Sequence, residues 1–191
     1  MRSSGRGNSV AGYSLVEMMM TLAVGLILIS VALPTMVSTI QSYRLNSIAQ
    51  QLGSLIDLAR YTAIHRNSVT TLQMKTVNGS TVFFIDLNNN LKPDTNEAML
   101  ILPGDMQFAN GQCPKPDAQT PGLAATADFP GQITFDYRGT VSFTPGSQLV
   151  TYFLALGYTN QAQYGCRAVA VSPMGQSKLW KAPDDSTWIG M

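Results

Sequence analysis

Residues 12–37 read GYSLVEMMMTLAVGLILISVALPTMV. After Glu17, the only acid of this stretch, the twenty residues from Met18 to Val37 carry no charge. About 20 consecutive apolar residues are enough to cross the hydrocarbon core of a bilayer as a helix. A carboxylate beside hydrocarbon is costly and is usually retained for a function. The stretch therefore predicts a helix that can span a membrane and that carries one functional acid.

A short basic segment precedes the apolar helix. Residues 1–12 contain Arg2 and Arg6, no acid, and many small or polar residues. Two arginines before an apolar span predict a cytoplasmic N-terminus and an exported remainder. In an ordinary secretory signal the cleavage site follows the apolar region, whereas the Gly12–Tyr13 junction precedes it. Cleavage at this junction would leave the helix on the mature protein.

The order GYSLVE at residues 12–17 resembles the processing site of type IV pilin-like prepilins. The resemblance implies cleavage after Gly12 by a prepilin peptidase, methylation of the new amino terminus on Tyr13, and a role of Glu17 in filament assembly. The family usually begins with phenylalanine, and Tyr13 keeps the aromatic ring. Glu17 would pair with the buried amine of a neighbouring subunit, because an unpaired buried charge is strongly destabilising. The alternative is a plain membrane anchor whose acid lies at the interface.

The helical pattern continues beyond the apolar run. Apolar residues recur at spacings of three and four and predict one helix from about Ser14 to His65, amphipathic in its second half. Residues 13–37 are interpreted as the transmembrane and filament-core half, and residues 38–67 as the amphipathic half. The filament core would be packed by Tyr13, Leu15, Val16, Leu22, Leu26, Ile29 and Leu33. The buried face of the second half would consist of Leu45, Ile48, Ala49, Leu52, Leu55, Ile56, Ala59, Ala63 and Ile64.

From Val69 the pattern changes to that of strands. Runs rich in β-branched and aromatic residues predict strands near 69–75, 81–86, 99–102, 133–137, 140–144, 149–156, 166–172 and 176–181. Hairpin turns fit the dipeptides at 78–79, 138–139 and 174–175, which all end in glycine. The segments 111–130 and 183–191 read as a long loop and a loose tail. One helix packed on an antiparallel sheet is an α+β fold, with residues 68–191 as the β-rich exported domain. This pattern is similar to the FimT/GspH group of minor pilins and type II secretion pseudopilins.

Two cysteines, Cys113 and Cys166, lie beyond the membrane segment. In the orientation given above, both would be outside the cytoplasm, where disulfides form and persist. We favour a bridge between them over two unpaired buried thiols. The sequence contains no CxxC pattern of the kind that binds zinc or exchanges disulfides.

The segment Asp86–Glu97 has the ligand spacing of an EF-hand calcium loop. The ligands would be Asp86, Asn88, Asn90, Asp94 and Glu97. However, Leu91 occupies the sixth position, where the sharp turn of an EF-hand requires glycine, and strands rather than helices flank the loop. A metal-free turn rich in Asp and Asn explains the same residues, so both interpretations stay open.

DNA binding is an alternative function of the β-rich domain. Some FimT-like proteins take up DNA through a C-terminal Gly-Arg-x-Arg element, and the aligned residues 175–178 keep only one cation, Lys178. Arg167 and Lys181 could add charge, and Trp180 could stack on a base. Against this, ten Lys and Arg balance ten Asp and Glu after Val37, which argues against a surface built to neutralise phosphates. The other interpretation is an ordinary hairpin with Trp180 in the core.

The sequence offers no catalytic constellation. His65 is the only histidine, and the chain has neither a Gly-x-Ser-x-Gly elbow nor a glycine-rich phosphate loop. We therefore expect no enzyme and, calcium aside, no cofactor.

The chain is thus expected to be a minor pilin or pseudopilin that initiates, caps or decorates a type IV pilus or a type II secretion pseudopilus. The partners that the resemblance implies are a prepilin peptidase, other pilins or pseudopilins, and an inner membrane assembly platform. The expected location is the bacterial inner membrane, with a cytoplasmic N-terminus and an exported domain, and then a periplasmic or surface filament.

Overall fold

The computed structural model describes residues 12–108, 113–116, 123, 126–142, 149–159, 164–183 and 187–191 of the chain. They belong to two compact units, Met1–Ile40 and Gln41–Met191. Of the leader predicted over residues 1–12, only Gly12 lies within the described residues.

The helix α1 spans Leu15–Arg66, within one residue of the predicted bounds at either end. The chain leaves the helix through Asn67, whose φ is 49°. The amides of Asn67 and Ser68 donate back to the carbonyls of Ile64 and Ala63, at 3.2 and 3.1 Å. This pattern is a Schellman cap, in which asparagine is tolerated because it adopts the left-handed conformation more easily than most residues. Local chemistry therefore fixes where the helix ends.

In the first unit, the apolar side chains of α1 are exposed. The seven that were predicted to pack a filament core expose 54–78 % of their surface: Tyr13, Leu15, Val16, Leu22, Leu26, Ile29 and Leu33. By length and composition, α1 is able to cross a membrane. An exposed apolar surface of this extent marks a site of contact with lipid or with other proteins.

In the second unit, α1 buries one face. Leu45, Ala49, Leu52, Ile56, Ala59 and Ala63 are fully buried there, and Leu55 nearly so. The predicted buried face included two residues that the fold does not bury, because Ile48 is only half-buried and Ile64 exposes 46 % of its surface. The spacing of three and four thus predicted the centre of the buried stripe and missed its edges.

The described part of the second unit contains ten strands in two sheets. The strands are β1 (Thr70–Val77), β2 (Ser80–Asp86), β3 (Met99–Ile101), β4 (Met106–Phe108), β5 (Thr126–Asp128), β6 (Gln132–Phe135), β7 (Thr151–Tyr158), β8 (Cys166–Val171), β9 (Ser177–Ala182) and β10 (Ile189–Gly190). One sheet has the order β3-β2-β1-β6, and the other has the order β10-β9-β8-β7-β4 with β5 beside β7. The α+β fold is confirmed. The expected single antiparallel sheet is corrected, because there are two sheets and β5 runs parallel to β7.

Three short strands fall where no strand was predicted. The strand β4 follows β3 directly, β5 lies in the expected long loop, and β10 lies in the expected loose tail. Each is two or three residues long, so it carries too little alternation to be recognised alone. The predicted strand at 140–144 is reduced to a single bridge between Phe135 and Val141; residues 143–148 lie outside the described residues.

The main hydrophobic core joins α1 to both sheets. Its largest fully buried members include Leu52 and Ile56 from the helix, Phe83 and Phe135 from the first sheet, and Leu154 from the second. Full burial of one such side chain contributes about 1.5–3 kcal/mol relative to leaving it exposed. The helix is therefore an integral part of the second unit's core.

A second, smaller core covers the opposite face of the larger sheet. Ala168 and Ala170 of β8 belong to it, whereas Val169 and Val171 of the same strand belong to the main core. The second core also contains the disulfide between Cys113 and Cys166, whose Cα atoms are 5.8 Å apart. The bridge favoured from the sequence is therefore present.

Trp188 holds the C-terminal segment on this second core. Its ring packs edge-on against Phe153, with centroids 4.9 Å apart, and its Nε1 donates to the carbonyl of Pro114 at 2.9 Å. With 4 % exposure, Trp188 is a core residue rather than a loose end. Pro114 follows Cys113, so the disulfide and the tail support the same short segment.

Two turns cross beside the helix in the second unit. Gly139, between β6 and Val141, has a φ of 77°, and Gly175, between β8 and β9, has a φ of 74°. The carbonyl of Gly139 accepts a hydrogen bond from Nε of Arg60 at 3.1 Å, and the amide of Val141 donates to the carbonyl of Pro173 at 2.9 Å. A Cβ at position 175 would lie 2.1 Å from the Gly139 carbonyl oxygen. Glycine is thus required here both by conformation and by space.

The first of these turns is organised by Asp136. Its carboxylate accepts hydrogen bonds from the amides of Arg138 and Thr140, both at 2.9 Å, and from the Thr140 hydroxyl at 3.0 Å. Burial alone would raise the pKa of Asp136, but these bonds and the charge of Arg138 outweigh it and hold the pKa below its usual value. The carboxylate is therefore ionised at neutral pH and accepts all three bonds.

The variant Gly175→Ala is expected to destabilise the fragment 41–191 by about 3 kcal/mol, roughly half from the left-handed conformation and half from displacing backbone. Gly79→Ala is the matched control, because Gly79 has a φ of 80° and nothing within 4 Å of the added Cβ. The control should lose only about 1–2 kcal/mol. Urea unfolding followed by circular dichroism gives both values. Equal losses in the two variants would contradict the crowding at the crossing.

Candidate functional site

The N-terminal part of α1 presents one acid in an apolar setting. Tyr13, Glu17, Met18 and Thr21 line a small groove of about 140 Å³. The hydroxyl of Thr21 donates to the carbonyl of Met18 at 2.9 Å, so it is satisfied by the helix itself. Among the described residues, nothing donates to the Glu17 carboxylate. Glu17 is the acid of the first turn of α1.

The connection between β2 and β3 contains the five candidate calcium ligands. Asp86 is buried, and its carboxylate accepts hydrogen bonds from the amides of Asn90 and Leu91, at 3.2 and 3.0 Å, and from Nε2 of Gln73 at 3.1 Å. Leu91 adopts a φ of 58°, the left-handed conformation that an EF-hand gives to glycine. The Asp86 oxygens therefore hold the turn by binding backbone amides.

The other carboxylates of this loop are engaged in the same way. Glu97 accepts hydrogen bonds from the amides of Leu87 and Asp94, at 2.8 and 3.2 Å. Asp94 accepts hydrogen bonds from the side-chain amides of Asn88 and Asn90, at 2.8 and 2.7 Å. Within the residues that the structure describes, no group of three or more His, Cys, Asp or Glu side chains is arranged to hold a metal ion. These contacts favour the metal-free turn, and calcium binding by the loop stays a prediction.

The three cations proposed for DNA binding do not form one surface. Arg167 is buried on the helix-facing side of β8, where its Nε donates to Oδ1 of Asn46 and its Nη1 donates to the carbonyl of Cys166 at 2.9 Å. Burial lowers the pKa of this guanidinium. Lys181 lies opposite Arg167 in the β8–β9 register and shares its face, whereas Lys178 is three residues earlier on β9 and lies on the other face.

Trp180 is likewise unsuited to stack on a base. It is buried in the second core, and Gly190 packs against its ring. Its Nε1 finds no hydrogen-bond partner among the described residues. The hairpin β8–β9 is therefore a core element whose tip, at Gly175, is pressed against Gly139. The glycine aligned with the DNA-binding element has a packing role here.

Two grooves that were not predicted from the sequence lie at the C-terminal end of α1. One groove, of about 440 Å³, lies between α1 and β9 and is lined by Asp57, Arg60, Tyr61, Ile64, Gln176, Ser177 and Lys178. The other, of about 290 Å³, lies between α1 and the β2–β3 region and includes Leu58, Tyr61, His65, Arg66 and Ile85. Tyr61 lines both grooves. The available signal was Leu58, Tyr61 and His65, a row at spacings of three and four on the face opposite the buried stripe.

Two protein-family models match the chain. The family model described as the type II transport protein GspH matches residues 49–175, and the prokaryotic N-terminal methylation motif matches residues 7–33. None of the curated proteins searched matches the chain.

Two crystal structures of the type IV minor pilin FimU of Pseudomonas aeruginosa strain PAO1 are similar to this chain. In one, the identity is 16 % and the TM-score is 0.45, over 71 % of this chain and 91 % of FimU. In the other, the identity is 14 % and the TM-score is 0.47, over 77 % of this chain and 93 % of FimU.

Proposed function

This chain belongs to the family of the type II transport protein GspH, and from that premise we propose that it initiates, caps or decorates a filament of pilin-like subunits. The observation that carries the proposal is the methylation motif at residues 7–33, which coincides with a helix whose apolar side chains are exposed. Burying them against the same helix of other subunits would remove a large apolar area from water or lipid. The filament is a type IV pilus or a type II secretion pseudopilus.

The proposed maturation follows from the order of the motif. A prepilin peptidase removes residues 1–12 by cleaving after Gly12, and the new amino terminus on Tyr13 is methylated. The carboxylate of Glu17 then pairs with the amine of a neighbouring subunit in the apolar filament core. An amine buried there without a carboxylate would cost several kcal/mol, so the pair sets the register between subunits.

We assign the parts of the chain accordingly. Residues 13–37 hold the subunit in the inner membrane before assembly and in the filament core afterwards, residues 38–67 continue the helix into the exported domain, and residues 68–191 form its β-rich part. The leader faces the cytoplasm, and the assembly platform of the inner membrane extracts the subunit. The proposed role of the chain is structural, and we assign no catalytic step to the chain. We assign no role in DNA uptake, since Arg167, Lys178 and Lys181 do not form one surface.

Intact-mass measurement of the protein purified from its native membranes tests the proposed maturation. We expect a mass that lacks residues 1–12 and gains one methyl group on Tyr13. The variant Gly12→Val, which places a branched side chain at the cleavage junction, should keep the leader and stay out of sheared filaments. A wild-type chain that keeps its first twelve residues in the native envelope, with none of it in filaments, would refute the proposal.

A further inference from the structure

The disulfide between Cys113 and Cys166 is closed off from solvent. Cys113 exposes 9 % of its surface, and Cys166 exposes 4 %. Thiol–disulfide exchange requires a thiolate to attack one of the two sulfur atoms directly. A bridge that is buried to this extent therefore reacts only when a group that covers it moves away. The group that moves decides how the bridge is formed and how it is broken.

Trp188 is part of the cover, in a row that runs across neighbouring strands. In the register of β8 and β9, Cys166 lies opposite Ala182. In the register of β9 and β10, Lys181 lies opposite Ile189, so Trp188 comes next beside Ala182. Residues directly opposite each other on antiparallel strands point to the same face of the sheet. Because the side chain of Ala182 is small, the indole ring can reach over it toward Cys166.

Contacts on the far side place the same ring beside the other cysteine. The hydrogen bond from Nε1 of Trp188 ends on the carbonyl of Pro114, which is the residue next to Cys113. Both cysteines and Trp188 belong to the second core. The indole thus extends from the edge of the sheet to the segment that carries Cys113, and it covers the bridge on the way.

The strand β10 is the part of this cover that can open alone. We call residues 187–191 the strap. Among the described strands, β10 pairs only with β9, and it does so through two residues at the edge of the sheet. The amide of Met191 adds one hydrogen bond, to the carbonyl of Leu179 at 3.0 Å. A short edge segment with few backbone hydrogen bonds opens at a lower free energy than the inner strands.

We propose that the strap is a gate for the disulfide. The bridge exchanges with external thiols while the strap is released from β9, and the two sheets stay folded. A thiolate of the reductant then attacks Sγ of Cys113 or Cys166, forms a mixed disulfide and releases the other cysteine as a thiolate. A second thiol of the reductant displaces the remaining protein sulfur, and the reductant leaves as a disulfide.

Formation of the bridge runs the same steps in reverse, with a disulfide-carrying oxidant in place of the reductant. The two cysteines must therefore be joined before the strap closes, and the closed strap then protects the bridge from reduction. This inference goes beyond the proposed function and does not depend on it, because the gate operates within one chain.

Reduction of the full-length protein in detergent by dithiothreitol tests the proposal. Samples taken at timed intervals are blocked with N-ethylmaleimide, and the released thiols are counted by intact mass. Trp188→Ala should be reduced at least about tenfold faster than the wild type, because the strap loses its buried anchor and is open more often. Ile189→Ala is the matched control on the same strap. Ile189 exposes 49 % of its surface, so this variant should keep the wild-type rate to within about a factor of two.

Two further measurements separate the gate from a general loss of stability. Leu72→Ala removes a fully buried side chain of β1 from the main core and leaves the strap intact, so its rate of reduction should stay close to that of the wild type. Urea below the unfolding transition should hardly change the wild-type rate. Opening a short strap exposes little surface, whereas unfolding of the sheets exposes much and gives a steep dependence on urea.

Three results would overturn the inference. The first is reduction of Trp188→Ala at the wild-type rate. The second is a rate for Leu72→Ala that rises as much as that of Trp188→Ala, and the third is a steep rise of the wild-type rate with urea. The last two would mean that the bridge is reached only by unfolding of the sheets.

The test does not depend on the folding of Trp188→Ala. Trp188→Phe keeps an aromatic ring and loses the bond to Pro114, so it should be reduced faster than the wild type by a smaller factor, and an unchanged rate would overturn the inference. None of these results bears on the proposed function, because none of them measures entry into filaments.

Discussion

Replacing Glu17 with glutamine is expected to leave the protein in the membrane but to lower its recovery in sheared filaments roughly 100-fold. This factor follows because the neighbour's buried amine would lose its partner, and an uncompensated buried charge costs about 3 kcal/mol or more. The amide keeps the size of the side chain and removes only its charge. Its effect therefore reports the pairing with a neighbour's amine, and not a change in packing. Quantitative immunoblots of the membrane and sheared fractions measure the ratio.

The controls for Glu17→Gln separate charge from helix packing. Met20→Leu changes another exposed apolar position of the same helix with little change in volume, and it should enter filaments at the wild-type level. Glu17→Asp keeps the carboxylate but shortens its reach, so it should restore part of the incorporation. Wild-type recovery of Glu17→Gln in sheared filaments would refute the assembly role of the acid.

The features that the sequence predicted well are those set by neighbouring residues. The end of α1 is fixed by Asn67 and Ser68, which cap the last turn through local hydrogen bonds. The turn at Asn78 and Gly79 joins β1 and β2 as predicted, with both residues at positive φ. In each case the required conformation is encoded in two or three adjacent residues, so that no distant contact is needed to recognise it.

The features that the sequence could not supply depend on long-range contacts. β5 is a strand because it pairs with β7, and its three residues carry no pattern of their own. Arg167 looked like an exposed cation, but the register of β8 turns it toward α1 and Asn46. The two grooves lined by Tyr61 form only when β2 and β9 are placed on either side of the helix. Topology decides these features, and composition does not.

Removing the disulfide is expected to lower the free energy of unfolding of the fragment 41–191 by about 4 kcal/mol, the chain-entropy value for cysteines this far apart. The two cysteines are 53 residues apart, so the bridge restricts a long stretch of the unfolded chain. The double variant Cys113→Ala and Cys166→Ala avoids placing a hydroxyl in the second core. For a unit of this size the loss corresponds to a melting temperature about 8–16 °C lower.

A matched variant distinguishes the covalent bridge from the packing around it. Trp188→Phe keeps an aromatic ring against Phe153 but removes the hydrogen bond to the Pro114 carbonyl, so it should cost only about 1 kcal/mol. The segment after Cys113 would then still be held by the bridge. In the double cysteine variant it is held by Trp188 alone, so adding Trp188→Phe should cost more there than in the wild-type background. Strictly additive losses of stability would show that the bridge and Trp188 act independently. If reduction of the disulfide left the melting temperature of the wild-type protein unchanged, the stabilising role of the bridge would be contradicted.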